Sequence, residues 1–241
     1  MIVQKKRGRR SREATLRTKR HIVKITMMLF YEYGYENVTI RGIARHAGVT
    51  HRLIFHHFGN KESLWLHVSQ HLMNFASQYA RSLMSTLDET KSENILLYQF
   101  CTKYYAFMLY NPKPLTFFMD GVRHTTLLSE NAQVVNEHIP KQLFALVEAV
   151  NEADYGAKHS LGKLAWKLIA SAHSPVYRQF FLNEEKNKEL SHNQWLREQW
   201  QVINEQLAFE FSIPEEEKLT PTCFDELLLN EQIELISKEA Y

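Results

Sequence analysis

Residues 39–64 read Thr-Ile-Arg-Gly-Ile-Ala-Arg-His-Ala-Gly-Val-Thr-His-Arg-Leu-Ile-Phe-His-His-Phe-Gly-Asn-Lys-Glu-Ser-Leu. The spacing predicts two short helices joined at Ala47-Gly48-Val49, with another helix beginning at Asn60. Gly48 falls where such a turn needs a positive φ, which a residue without Cβ adopts at little steric cost. Thr39, Thr50 and Asn60 each precede a helix and can accept hydrogen bonds from its orphan N–H groups. Ile40, Ile43, Ala44, Val49, Leu53 and Ile54 supply a small core, with Ala44 letting the helices cross closely. This is the pattern of a helix-turn-helix, whose second helix enters the major groove of DNA.

The charge around that stretch points the same way. Residues 1–61 hold fourteen Lys and Arg against three acids, a net +11, while the remainder holds fifteen against twenty-four, a net −9. A basic head on an acidic body suits a duplex-binding module joined to a domain that does not touch DNA. The densest charge, Lys5, Lys6, Arg7, Arg9, Arg10 and Arg12, lies in a segment expected to be a disordered arm over residues 1–14. Such an arm is either a solvated tail or, beside a helix-turn-helix, a minor-groove insert carried by Arg7, Arg9 and Arg10.

Further along, apolar residues recur at helical spacing throughout. A first helix is expected over 15–34, through Ile22, Ile25, Leu29 and Phe30, with Gly34 ending it. A long helix over 61–87 follows, with Leu64, Val68, Leu72, Phe75, Tyr79 and Leu83 on one face. The next helix, 94–110, stops at Asn111-Pro112-Lys113-Pro114 because the residue before a proline avoids the α region. A short segment over 115–119 is expected to end at Asp120-Gly121, and Pro140 should kink or split a helix over 131–151. Helical segments over 157–172, 177–182 and 193–211 come next, the last striped by Leu196, Trp200, Ile203, Leu207 and Phe211. An amphipathic helix over 224–236 closes the chain. No alternating strand pattern occurs, so the expected fold is all-α. It comprises a head over 15–65, a helical effector-binding and dimerisation body over 66–212, and an acidic extension over 213–241 with one amphipathic helix.

The composition excludes several classes. The chain has 241 residues, 44% hydrophobic and 23% charged, as ordinary soluble globular proteins do. No apolar run approaches the ~20 residues that span a bilayer, and the basic N-terminus lacks the apolar stretch of a signal peptide. Cys101 and Cys223 stand far apart without a paired cysteine motif, which suits a reducing cytoplasm. They read as buried or idle thiols, or as a redox pair. No Gly-x-Ser-x-Gly elbow, phosphate loop or zinc-hydrolase helix is present, so no enzyme and no cofactor are expected. His67 and His71 share a helical face, yet no further ligand is spaced to complete a zinc site, and no metal is expected.

Phe30-x3-Gly34-x4-Thr39, Ile43-Ala44-x2-Ala47-Gly48-Val49-Thr50, Phe55-His56-His57-Phe58 and Lys61-x2-Leu64 together resemble the DNA-binding domain of the TetR family over roughly residues 15–65. The sequence departs from that pattern at Phe55, where tyrosine is usual and its hydroxyl can reach phosphate, and at Arg52, where a small residue is common. The reading helix presents Thr50, His51, Arg52 and His56. Arg52 can reach guanine O6 and N7 bidentately or grip phosphate instead. Thr39 and Arg41 suit backbone contacts, Lys61 adds charge at a helix N-terminus, and the resemblance implies a phosphate contact for His57.

The resemblance also implies a homodimer on a palindromic operator in double-stranded DNA, with no membrane partner. It places the dimer interface on the last two long helices, at Leu161, Ala165, Leu168, Ala172, Leu196, Trp200, Ile203 and Leu207; monomer core is the other reading of that stripe. It further implies a cavity for a small, largely apolar effector among Phe75, Tyr79, Phe100, Tyr104, Phe107, Met108, Phe118, Trp166 and Tyr177, with Tyr104 and His173 as polar anchors. Taken singly, each of these aromatic residues also reads as core. The function expected is a homodimeric repressor released from its operator by that ligand; the alternative is an architectural DNA binder without an effector.

Overall fold

A computed structural model describes residues 7–122, 140–153, 158–173 and 191–229, with the side chains of 7–11, 118 and 120–122 outside the description. Among the described residues the regular elements are all helical. They are α1 (Arg7–Asn37), α2 (Ile40–His46), α3 (His51–Phe58), α4 (Lys61–Ser85), α5 (Glu93–Tyr110), α6 (Lys113–Val122), α7 (Lys141–Glu152), α8 (Leu161–His173) and α9 (His192–Glu210). Two 3₁₀ turns, Glu215–Glu217 and Phe224–Leu227, follow α9. The described residues fall into two compact units, one holding residues up to 72 with 117–122, the other holding 73–116 and 140–229.

In the first unit the caps form as their residue types dictate. Thr39 Oγ1 accepts from the Gly42 N–H at 3.0 Å, Thr50 Oγ1 from the Leu53 N–H at 3.3 Å, and Asn60 Oδ1 from the Ser63 N–H at 2.7 Å. Gly48 takes φ 64°, and the Val49 N–H closes the turn on the Ala44 carbonyl at 3.0 Å. Gly34, at φ 75° and ψ 161°, breaks the course of α1 where the sequence placed a helix end. The core gathers Ile22, Phe30, Ile43, Ala44, Ile54 and Phe58 with Leu64, Trp65, Val68 and Leu72 of α4. Phe117 of α6 joins it, stacked on Trp65 at 4.9 Å between ring centroids and edge-on to Phe30 at 6.0 Å.

The second unit is organised about α5, which is buried on nearly every side, as expected of a helix that is apolar all round. α7 packs on it through Leu143, Leu146, Val147 and Val150. α9 lies against it with Leu196, Trp200, Ile203 and Leu207 buried, and Trp200 Nε1 donates to the Thr102 carbonyl at 2.9 Å. Ile213, Phe224, Leu227 and Leu228, beyond α9, are buried in the same core.

Several expected boundaries move. α1 begins at Arg7, inside the segment expected to be a disordered arm. Arg and Glu are good helix formers, and Arg17 pairs with Glu13 one turn earlier at 2.7 Å. α6 continues through Asp120-Gly121 to Val122, so that turn signal does not stop it. Pro140 is the N-cap of α7, a position that needs no helical N–H, while 131–139 lie outside the described residues. α8 begins at Leu161 rather than 157, and the segment over 177–182 lies outside the described residues. Where an α-helix over 224–236 was expected, the chain makes one 3₁₀ turn and then extends at Leu228 (φ −107°, ψ 152°), while 230–236 lie outside the described residues. Three residues per turn put Phe224 and Leu227 on the same side, facing the core.

Candidate nucleic-acid interface

The outward face of α3 is set by what the helix buries. Ile54 is fully buried and Phe58 nearly so, with Leu53 half-buried, and the Thr50 cap fixes the first turn. His51, Arg52, Phe55 and His56 are left exposed around the rest of the helix, Phe55 at 50%. Thr39 and Arg41 are exposed at the start of α2. Each capping threonine uses an oxygen lone pair and keeps its O–H as a donor. This arrangement offers hydroxyl donors, imidazoles, two guanidinium groups and one apolar ring to a polyanion.

His57 sits half-buried behind the face. Burial lowers its pKa below the ordinary histidine value, and the charges of His56 and Lys19 push it further down. A phosphate would reverse that balance, since an anion favours the charged ring. Lys19, from α1, is a member of this electrostatic group that the motif could not reveal, because it lies far from α3 in sequence. His21 was missed for the same reason: its Nε2 donates to the Ala47 carbonyl at 3.2 Å and ties α1 to the turn.

Lys61 differs from expectation. Its ammonium donates to the Tyr35 carbonyl at 2.9 Å and lies 4.1 Å from the centre of the Tyr35 ring. That charge fastens the start of α4 to the end of α1 instead of standing clear for phosphate. Arg7, Arg9 and Arg10 lie on the first turns of α1, with side chains outside the description.

The aromatic residues proposed for an effector divide. Tyr79 stacks on Phe107 at 3.8 Å, Phe100 on Tyr104 at 5.6 Å, and Phe75 tilts against Phe107 at 5.6 Å. Met108 is buried on the same helix, α5. Burial pushes the Tyr79 phenol up to about 12, and its oxygen accepts the Leu229 N–H at 3.4 Å. Burial raises Tyr104 as well. Trp166 does not join them, being 57% exposed on α8. His173 is half-buried at the end of α8, and Phe118 and Tyr177 lie outside the described side chains.

The residues expected at a dimer interface divide by burial. Leu168, Ala172, Leu196, Trp200, Ile203 and Leu207 are buried within this chain, while Leu161 and Ala165 are half-buried. The stripe of α9 faces α5. Other apolar side chains on α8 and α9 stay exposed: Trp166, Val202 at 64% and Phe209 at 89%. Trp166 and Phe209 flank an ion pair between Lys167 and Glu210. Glu210 also approaches His159 Nδ1 at 3.6 Å, and the His159 backbone is held on both sides by the Asn151 amide, at 2.6 and 2.8 Å. Burial lowers the His159 pKa, against the upward pull of Glu210. Among the described residues no three His, Cys, Asp or Glu side chains gather as metal ligands, and no helix is long and apolar enough to cross a membrane.

The family described as "Bacterial regulatory proteins, tetR family" matches residues 22–68. The HTH-type transcriptional repressor AcnR of Corynebacterium efficiens is 38% identical over 68 residues, or 28% of this chain. The chain spans only 30% of that relative's length. Among solved structures, a provisionally named fatty acid metabolism regulator from Clostridium perfringens superposes with a TM-score of 0.55 at 16% identity, covering 78% of this chain and 96% of its own. The fatty acid degradation regulator FadR of Bacillus halodurans does so with a TM-score of 0.51 at 17% identity, covering 76% and 96%. At that identity the likeness is one of fold: a helix-turn-helix head followed by a helical domain.

Proposed function

We propose that this chain, whose residues 22–68 match the tetR family of bacterial regulatory proteins, is a sequence-specific transcriptional regulator of that family that acts as a homodimeric repressor released from its operator by a small, largely apolar ligand. The observation that carries the DNA-binding part is the exposed face of α3, held outward by Ile54 and Phe58 within residues 1–61, whose net charge is +11. Phosphate contacts from Thr39, Arg41, Thr50 and His57 give affinity, and Arg52 with its neighbours on α3 gives specificity. Two such faces in a symmetric dimer meet successive major grooves, about 34–36 Å apart.

Dimerisation is supported by the exposed Trp166, Val202 and Phe209, whose desolvation a second copy would supply. Effector binding is supported by the cluster of Phe75, Tyr79, Phe100, Tyr104 and Phe107, apolar rings with phenolic groups that can orient a ligand. A coupling of ~1–3 kcal/mol between ligand and DNA weakens operator binding about 5–150-fold. That the Corynebacterium relative is a transcriptional repressor supports repression over activation.

The test is a genome-wide pull-down of DNA with the purified full chain at near-physiological salt. An enriched palindrome beside a promoter supports the regulator. Diffuse A·T-rich enrichment without a shared motif favours the architectural alternative, which the same basic head would also serve.

A further inference from the structure

We infer that Phe55 reads the 5-methyl group of a thymine in each operator half-site, beside the base pair that Arg52 contacts. The inference rests on the proposed DNA-binding role of the same face. Its starting point is the cost of leaving this ring in water. Ile54 and Phe58 fix the rotation of α3, so Phe55 cannot turn inward without exposing them. Its neighbours on the outer face are His51 and Arg52, one turn earlier, and His56 beside it, all exposed and polar. Half of a phenyl ring thus stands in water within a patch otherwise made of hydrogen-bonding groups.

In the major groove those polar neighbours have donors and acceptors on the bases and phosphates to meet. A phenyl ring has none. The apolar feature that a base edge offers there is the thymine methyl, and contact between apolar side chains and that methyl is an established mode of base readout. Three residues along a helix advance about 4.5 Å, comparable with the ~3.4 Å step between base pairs. Arg52 and Phe55 therefore sample adjacent or nearby pairs on one pass through the groove.

The experiment first selects a binding site for the full chain from a random duplex library. Each thymine in the selected site is then replaced singly by deoxyuridine, which keeps the pairing edge and removes only the methyl. At one thymine in each half-site, uracil should weaken binding by wild type about fourfold, the loss of roughly one buried methyl-sized group. Phe55→Ala should bind the thymine and uracil duplexes equally, and Phe55→Leu should keep part of the difference. Circular dichroism and thermal melting of both variants should match wild type, because the ring lies outside the core.

Uracil tolerated at every position would overturn the inference and leave the regulator standing, with Phe55 packing on sugar instead. Full uracil sensitivity retained in Phe55→Ala would assign the methyl contact to another side chain and also overturn it. A selection that yields no motif would overturn the regulator reading itself, and this inference with it.

Discussion

Tyr98 on α5 and Asn204 on α9 close a three-cornered hydrogen-bond ring with the chain at Leu219. The phenol donates to Asn204 Oδ1 at 2.6 Å, Asn204 Nδ2 donates to the Leu219 carbonyl at 3.1 Å, and the Leu219 N–H donates to the phenol oxygen at 2.9 Å. Asn94 adds a bond to the Phe211 carbonyl at 3.0 Å, and Arg197 one to the Thr222 carbonyl at 3.0 Å. At Leu219 and Thr222 the acidic segment after α9, expected to be an extension over 213–241, is stapled to the helices before it; its residues 230–241 lie outside the described residues.

Tyr98→Phe removes one oxygen and leaves the half-buried Leu219 N–H and the buried Asn204 carbonyl without this partner. The expected loss is about 1–3 kcal/mol in urea-denaturation stability, with the helical circular dichroism of the native state unchanged. A loss within a few tenths would show that the ring contributes little.

Trp166→Glu with Phe209→Glu should convert a dimer to a monomer in analytical ultracentrifugation without reducing helicity, since both side chains are exposed in the single chain. Trp200→Ala should act differently, destabilising the fold by about 3–5 kcal/mol, because Trp200 is fully buried against α5. An unchanged dimer in the double variant would place the interface elsewhere.

Arg52→Ala should relax base preference at specific positions of the selected site, costing about 1–3 kcal/mol of discrimination there. A uniform loss across all sequences would make Arg52 a phosphate contact instead.

Deleting residues 1–12 should flatten the log–log dependence of DNA affinity on salt by about 0.9 for each phosphate that the segment neutralises. The segment holds Lys5, Lys6, Arg7, Arg9, Arg10 and Arg12. An identical slope would make these charges bystanders.

Acid should weaken the second unit through His159. Its folded pKa lies below the ordinary histidine value of about 6.5, so the unfolded chain takes up this proton first as pH falls. The stability it protects is intact above about pH 6.5 and is lost as pH drops through that value toward the folded pKa. The fall in melting temperature between pH 7.5 and 5.5 should be smaller in His159→Gln; equal falls would exonerate this ring.

The head was legible because its signals are local. Thr39, Thr50, Asn60 and Gly48 each act on backbone within three or four residues, so their identity nearly determines their geometry. The stripe Leu196, Trp200, Ile203 and Leu207 shows the limit of such reasoning. Its period fixes which face of α9 is apolar but not whether α5 or a second copy covers it, and in this chain α5 lies against it. Lys61 is a similar case, for its spacing placed it at a helix N-terminus while its partner, the Tyr35 carbonyl, lies 26 residues earlier. The 3₁₀ turn at Phe224 was hidden because Phe224, Leu227 and Leu228 fit a helical repeat as well as a single tight turn.

Phe117 carries a consequence for anyone grafting this DNA-reading head onto another sensor. A cut at residue 65, where the motif ends, would strip Val68, Leu72 and Phe117 from the cluster that holds Ile43 and Ile54. Trp65 would lose the ring stacked on it. A chimaera made at the motif boundary would therefore carry a reading helix on an unfinished foundation. A workable graft must import the start of α4 and an aromatic surrogate for Phe117, so the smallest transferable module is assembled from two stretches of chain far apart in the gene.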